Sequence, residues 1–484
     1  MSSSLSNPDL APVPPEGRTW SRWNIAALWI GMSVCVPTYL LASGMIEAGM
    51  NWWQAVLTVL LANLIVLAPM ILNGHGGTKY GIPFPVLARA SFGTTGAHIP
   101  AIARALVACG WFGIQTWIGG AAIYSILGTL GWIDAAADTH TLGFLNITAL
   151  QLLCFLAFWV VHVAIVITGI ESIKIFEAWA APFLILCGLA LLVWAFTTVD
   201  DVSALFTSEV TRPEGVSFWS IFIPSLTATV GFWATLSLNI PDFTRYCRSQ
   251  KDQALGQLYG LPTTMTLFCF IGIIVTGASV VIYGKALWDP VELVQRMGTP
   301  WVVVASMLVL MIATLSTNLA ANVVSPANGF SNIAPRRISF RTGALATCVI
   351  GVVIMPWRLV TDHEKYVETW LIGYSALLGP IAGIMLCDYF IVRRTTLDVD
   401  DLYDPRGQYR GSNWAAIAAL ILGVLPNLPG FINAATKIAI FGPIFDTIYS
   451  YGWFVGLPVA AIFYWLFMLV RTNHHPIGKT PSTP

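Results

Sequence analysis

The sequence predicts an all-α membrane protein with about twelve transmembrane helices, and three observations carry that expectation. Of 484 residues, 56% are hydrophobic and only 10% are charged. A soluble domain carries about 25% charged residues, so this chain lacks the polar surface to cover itself in water. Second, apolar runs long enough for a 30 Å hydrocarbon core (about 20 residues) recur near 24–46, 52–73, 98–128, 147–169, 175–198, 217–240, 257–284, 301–323, 342–357, 367–392, 413–432 and 447–470. Third, Lys and Arg concentrate in alternate connections, which places both termini on the cytoplasmic side and requires an even number of spans. The formal net charge is zero, so no overall field favours a nucleic-acid partner.

Taken in order, residues 1–23 are polar and proline-rich, with no apolar stretch of the signal-peptide kind, and are expected to be a disordered cytoplasmic tail. Helices one to five then occupy 24–198. The connection YGIPFPVLARASFG (80–93) is too broken by Pro and Gly to span and is expected to be a re-entrant or surface segment on the cytoplasmic side. Arg104 falls just inside helix three and adds to the basic count of that side. Helices six to ten occupy 217–392, and WDPVELVQRMG (288–298) has the amphipathic pattern of a short external helix. Two additional helices fill 413–470, although the 342–357 run is short and Pro426 and Pro429 interrupt the run at 413–432. Residues 471–484 form the second cytoplasmic tail. The eight cysteines form no CxxC pair and sit mostly in apolar runs, where free Cys behaves as a small hydrophobe.

Function is expected where apolar helices are damaged. Helix one contains WIGMSVCVPTYLL, in which Pro37 cannot donate to the carbonyl of Ser33 and Gly31 lies nearly two turns earlier. Helix six contains TATVGFWATLSLNIPDF, with Gly231 near mid-depth and Pro241 at its end. These helices are five apart and start on opposite sides of the bilayer, the arrangement of an inverted five-helix repeat with its site at the midplane. Carbonyls freed there need a partner, and a cation is one; the plainer reading is that Gly and Pro are simply common in membrane helices. In helix three, Trp111 and Gln115 share a face, a flat indole beside an amide that can donate and accept. Trp117 lies on another face, where packing is the simpler role.

In helix eight, Ala313, Ser316 and Thr317 offer a carbonyl and two hydroxyls on one stripe, hard oxygens suited to a small hard cation. Asn322 points to another sector and is free to face a substrate. Against this stands back-bonding of Ser and Thr to their own helix, with Asn joining helices. Carboxylates are nearly absent from the middles of the spans; His162 is the one titratable candidate there, and reads as a satisfied core histidine. That favours sodium over protons. No histidine clusters with Cys or acids at metal-ligand spacing, and no nucleophile–base pair stands out, so a membrane enzyme is the poorer class.

At NIAALWIGM, KYGIPFPVLARASFG, GWFGIQTWIGG, ATLSTNLAANVVSPA and LLGPIAGIMLCDYFIVRR the chain resembles the nucleobase–cation symporter-1 family, and in particular its bacterial hydantoin, allantoin and uracil permeases. The resemblance implies a LeuT-like fold of two inverted five-helix repeats plus two helices. It implies a substrate ring stacked between Trp111 and Trp233, amide contacts from Gln115 and Asn322, and a backbone contact at Phe232. It also implies sodium held by the carbonyls of Gly31, Val34 and Ala313 and the hydroxyls of Ser316 and Thr317. Two departures bear on the substrate: Cys35 stands where the hydantoin carrier has a glutamine, and Phe232 replaces a glycine and narrows its side of the pocket. The expectation is a monomeric inner-membrane importer of uracil, allantoin or hydantoin, coupled to sodium and needing no cofactor. The alternative is a proton-driven carrier of a vitamin or purine on the same fold.

Overall fold

The computed structural model describes residues 4–168, 170–207, 215–287, 290–360 and 365–474. Six spans form single helices, four of them in spite of an interior proline (Pro69, Pro182, Pro262 and Pro458): Trp52–Tyr80, Ala149–Thr168, Ile170–Thr198, Gln250–Tyr283 and Gly452–His474, which are helices two, four, five, seven and twelve, and His98–Thr129, which is helix three. The other spans, helix nine excepted, are interrupted. Helix one is Arg22–Ser33 followed by Val36–Glu47, bent by 60°. Helix six is Phe218–Phe232 followed by Ala234–Asn239. Helix eight, Pro300–Asn322, continues as Val324–Ile333, and helix nine is Phe340–Val353. Helix ten begins with a π-helical turn at Lys365–Ile372, is α-helical over Gly373–Leu386 and ends π-helical at Cys387–Val392. Helix eleven breaks at Leu425–Asn427, beside the two prolines that shortened its apolar run.

Among the described residues, nine helical stretches and the bent pair of helix one are long and apolar enough to cross a bilayer. Ile170–Thr198 and Phe340–Val353 bring the spans to twelve. Helices one to five and six to ten form two five-helix units of opposite orientation, with eleven and twelve added. Helix one packs on helix seven, and helix three on helix eight. At Gly231 helix six passes helix ten so closely that a Cβ would lie 2.9 Å from the Leu371 carbonyl oxygen. The short segment Pro290–Arg296 is helical as the sequence suggested, with Leu293 and Val294 buried. Glu292 in it accepts from Lys285 at 3.0 Å and from Arg296 at 3.1 Å. The Lys285 hydrogen bond is the main reason its carboxyl lies below the usual range.

Two expectations are corrected, both on the face rich in Lys and Arg. Residues 4–23 are not a loose tail. Leu10 is fully buried, its carbonyl accepts from Tyr403 Oη at 2.6 Å, and the Asp9 carbonyl accepts from Arg245 at 2.9 Å. Val13 N–H donates to Gly81 O at 2.8 Å and Trp20 N–H to Tyr246 O at 2.8 Å. Every one of these bonds uses the segment's backbone, which a polar, proline-rich composition leaves free to pair. The second correction concerns 84–92, which form a nine-residue helix, Phe84–Phe92, with every residue buried; this overturns the surface alternative and leaves the re-entrant one. Arg89 in this helix donates to Leu5 O at 2.9 Å, Leu402 O at 3.0 Å and Asn332 Oδ1 at 2.6 Å, so both corrections belong to one network. Of the expected second tail, helix twelve continues through His474, and 475–484 lie outside the described residues, as does Arg212.

Candidate functional site

The break in helix one falls at Val34 and Cys35, where φ/ψ reach −82°/77° and −142°/160°. Pro37 is therefore near the start of the second half, where its missing N–H costs nothing. Because Cys35 N–H donates to Ser33 O at 3.0 Å instead of continuing the helix, the Gly31 carbonyl is left to accept from Thr317 Oγ at 3.2 Å. Val34 and Ala313 pack in one small cluster between the same two helices. Ser316 Oγ is fully buried and has no hydrogen-bond partner. A hydroxyl without a partner and the carbonyls of a broken helix are the kind of hard oxygens that suit a monovalent cation. Gly31 with Thr317, and Val34 with Ala313, thus meet where helix one contacts helix eight, and Ser316 is the residue before Thr317.

Helix six breaks at Trp233, whose φ/ψ of −100°/1° interrupts the ladder one residue after Phe232. All six candidate substrate residues, Cys35, Trp111, Gln115, Phe232, Trp233 and Asn322, line a single cavity of about 20 Å³, space for about one water molecule. Thr317 of the cation set lines it too, so the two sites share a wall. Gln115 Oε1 and Trp233 Nε1 are buried without partners, one acceptor and one donor. Asn322 Nδ2 donates to Asn318 Oδ1 at 3.0 Å, which fixes its amide. Cys35 Sγ lies 3.2 Å from Thr38 Oγ.

The two indoles do not face each other across open space. The Phe232 ring lies between them, 5.1 Å from Trp111 and 4.9 Å from Trp233, edge-on to both. The residue read as a backbone contact thus also contributes the bulkiest obstacle in the cavity.

Sequence reasoning missed the wall on the face opposite the basic one. Tyr366, Trp370 and Tyr374 of helix ten surround Trp111 at 6.2, 5.9 and 6.4 Å. Tyr366 Oη donates to Pro37 O at 3.3 Å and so joins helix ten to the second half of helix one. Gly110 makes room: a Cβ there would collide with the Trp370 ring. The signal was present in YVETWLIGY, where three aromatics recur every fourth residue on one helical face. Trp117, read as packing, lies against Trp357 at 5.5 Å. His162 is buried, with Nδ1 3.2 Å from Phe158 O and Nε2 3.0 Å from Asn318 Nδ2, a core histidine with both nitrogens occupied.

Twelve spans in inverted repeats, two of them broken around a closed mid-bundle cavity, define a multi-pass membrane transporter rather than an enzyme. Residues 12–456 match the family model for permeases of cytosine/purines, uracil, thiamine and allantoin. The chain is 44% identical over 470 residues to a purine-uracil permease of Arabidopsis thaliana, covering 96% of this chain and 78% of that one. It is 40% identical over 477 residues to an allantoin permease of Bacillus subtilis, covering 97% and 94%. Among solved structures, a nucleobase-cation-symport-1 transporter in a closed conformation with bromovinylhydantoin bound is 26% identical, with a TM-score of 0.78 over 98% of each chain. This chain belongs to the nucleobase–cation symporter-1 family.

Proposed function

We propose that the protein imports a neutral cyclic amide of the nucleobase type, with uracil or allantoin first and hydantoin close behind, by sodium symport. The observation that carries this is the meeting of six side chains around one buried cavity that offers an unpartnered amide oxygen and an unpartnered indole N–H. A site of aromatic faces with a few converging polar atoms suits a flat ring with an amide edge. Purines, handled by one relative according to its name, fall within the panel to be tested.

In this mechanism the Phe232 ring turns away so that the substrate ring lies between Trp111 and Trp233, and Gln115 and Asn322 pair with its edge. Sodium, the co-transported cargo, bridges the broken first helix and helix eight and steadies the wall that Thr317 shares with the cavity. The basic face is cytoplasmic, the protein sits in the plasma membrane with both termini inside, and one chain suffices for transport. The cavity lining contains no carboxylate or histidine, which favours sodium over a proton relay. One charge moving down about 100 mV supplies about 2.3 kcal/mol, enough for roughly 50-fold accumulation.

Proteoliposomes with an imposed sodium or proton gradient, challenged with labelled uracil and competed by bases, hydantoins, vitamins and amino acids, test the reading. Sodium-stimulated uptake competed only by cyclic amides is expected. Uptake driven by protons alone, or competed by vitamins, would favour the alternative carrier. Thr317→Ala is expected to weaken the sodium stimulation of binding, measured as the ratio of affinities with and without sodium; an unchanged ratio would discard that ligand.

A further inference from the structure

We propose that Arg104, Asn239 and Asp242 form a second subsite, on the basic side of the cavity, that takes the C(=O)–NH edge of the cargo as it leaves. The proposal rests on the cyclic-amide reading above. Arg104 lies seven residues before Trp111, on the same face of helix three and about 10 Å nearer the basic face. It is 1% exposed. Its Nε donates to Asn239 Oδ1 at 2.7 Å and its Nη2 to the Ala321 carbonyl at 3.1 Å. Ala321 lines the central cavity, so the arginine adjoins that cavity directly. From Thr235 in the cavity wall, Asn239 and Asp242 continue down helix six toward the same face.

What sets this cluster apart is what it leaves unpaired. Arg104 Nη1, Asn239 Nδ2 and Asp242 Oδ2 have no hydrogen-bond partner, although all three residues are buried. Asp242 Oδ1 accepts from Phe84 N–H at 3.0 Å, and Ser325 and Arg245 also face this carboxylate. Arg89 provides the contrast. That arginine is equally buried, yet all three of its nitrogens are bonded, as expected of a purely structural guanidinium. Leaving buried charged groups short of partners is unfavourable, and the expense is relieved when something able to bond arrives.

The chemistry of the unpaired atoms limits what that is. The Arg104 charge repels a cation and the Asp242 charge, which faces Arg245 as well as Arg104, repels an anion. Donors beside one acceptor match a neutral group that presents an acceptor next to a donor, which is the edge of a cyclic amide. In the conformation described here Arg104 closes the path by joining helices three, six and eight. As those helices part, its freed nitrogens hold the cargo's carbonyl and Asp242 its N–H, replacing bonds lost in the cavity.

The test compares wild type with Arg104→Gln and Asp242→Asn on a transported cyclic amide and on its thio analogue, in which C=S replaces C=O and accepts hydrogen bonds poorly. Equilibrium binding and net uptake are both measured. The expected result for Arg104→Gln is binding within twofold of wild type and net uptake of the amide slowed about tenfold, but only about twofold for the thio analogue. Equal slowing of both ligands would reduce Arg104 to a gate tie and overturn the subsite, as would unchanged uptake. Should Arg104→Gln not fold, Arg104→Lys keeps the charge but loses the forked donor and gives the same comparison. Failure of wild type to bind any cyclic amide overturns the proposed function itself, and is read separately from the variants.

Discussion

The path on the two sides of the cavity is closed by opposite materials. Away from the basic face, Trp111, Tyr366, Trp370 and Tyr374 meet as aromatic edges and faces, with one hydrogen bond from Tyr366 to Pro37 O. Toward the basic face, Arg104 bonds Asn239 and the Ala321 carbonyl, Asp242 accepts from Phe84 N–H, and beyond them the segment from Leu5 to Trp20 is bonded across the helix ends. Ring contacts are short-ranged but tolerant of sliding, so the aromatic side can close on cargos of differing outline. Charge-assisted hydrogen bonds are either made or broken, so the basic side opens in a step and needs replacement partners when it does.

The comparison can be broken at four places. Trp111→Ala removes both a stacking face and the centre of the aromatic wall; substrate affinity is expected to fall about 100-fold, as measured by equilibrium binding of labelled ligand. Gln115→Leu leaves the cavity apolar where an amide edge needs a partner, and a loss of about 30-fold is expected, larger for amides than for their thio analogues. Phe232→Gly removes the ring between the indoles; ring-substituted hydantoins should gain about tenfold relative to uracil in a competition assay. Tyr366→Phe takes away only the bond to Pro37 O, and an affinity change of about fivefold is expected. An equal response of all four variants to every ligand would mean that the aromatic side is scaffold rather than a surface that adapts to cargo.

Most of the fold was legible because a bilayer forces it: every span must be apolar and internally bonded, so hydropathy finds it. The breaks in helices one and six were signalled by Gly31, Pro37 and Gly231, although Gly and Pro are common in membrane helices and the break in helix six falls at Trp233, two residues beyond Gly231. The six cavity residues were reached partly through chemistry, as with Trp111 and Gln115, and partly through family resemblance, as with Phe232 and Trp233. The rest depended on tertiary contact. Arg104 and Arg89 look like loop-side charges in a count of Lys and Arg, and only the fold reveals that both are buried. The segment 4–23 has the composition of a disordered chain, yet its backbone carbonyls are the acceptors that Arg245 and Tyr403 require.

That segment has a consequence for how the molecule is made. The bond between Tyr403 and the Leu10 carbonyl joins residues 393 positions apart, and Arg89 reaches both Leu5 and Leu402. This segment therefore meets Gly81 and Arg245 early, but its last partners exist only after helix ten has been made. Sealing of that face is completed only then, and a chain stalled before residue 402 would leave the Leu10 carbonyl and one Arg89 nitrogen without their partners.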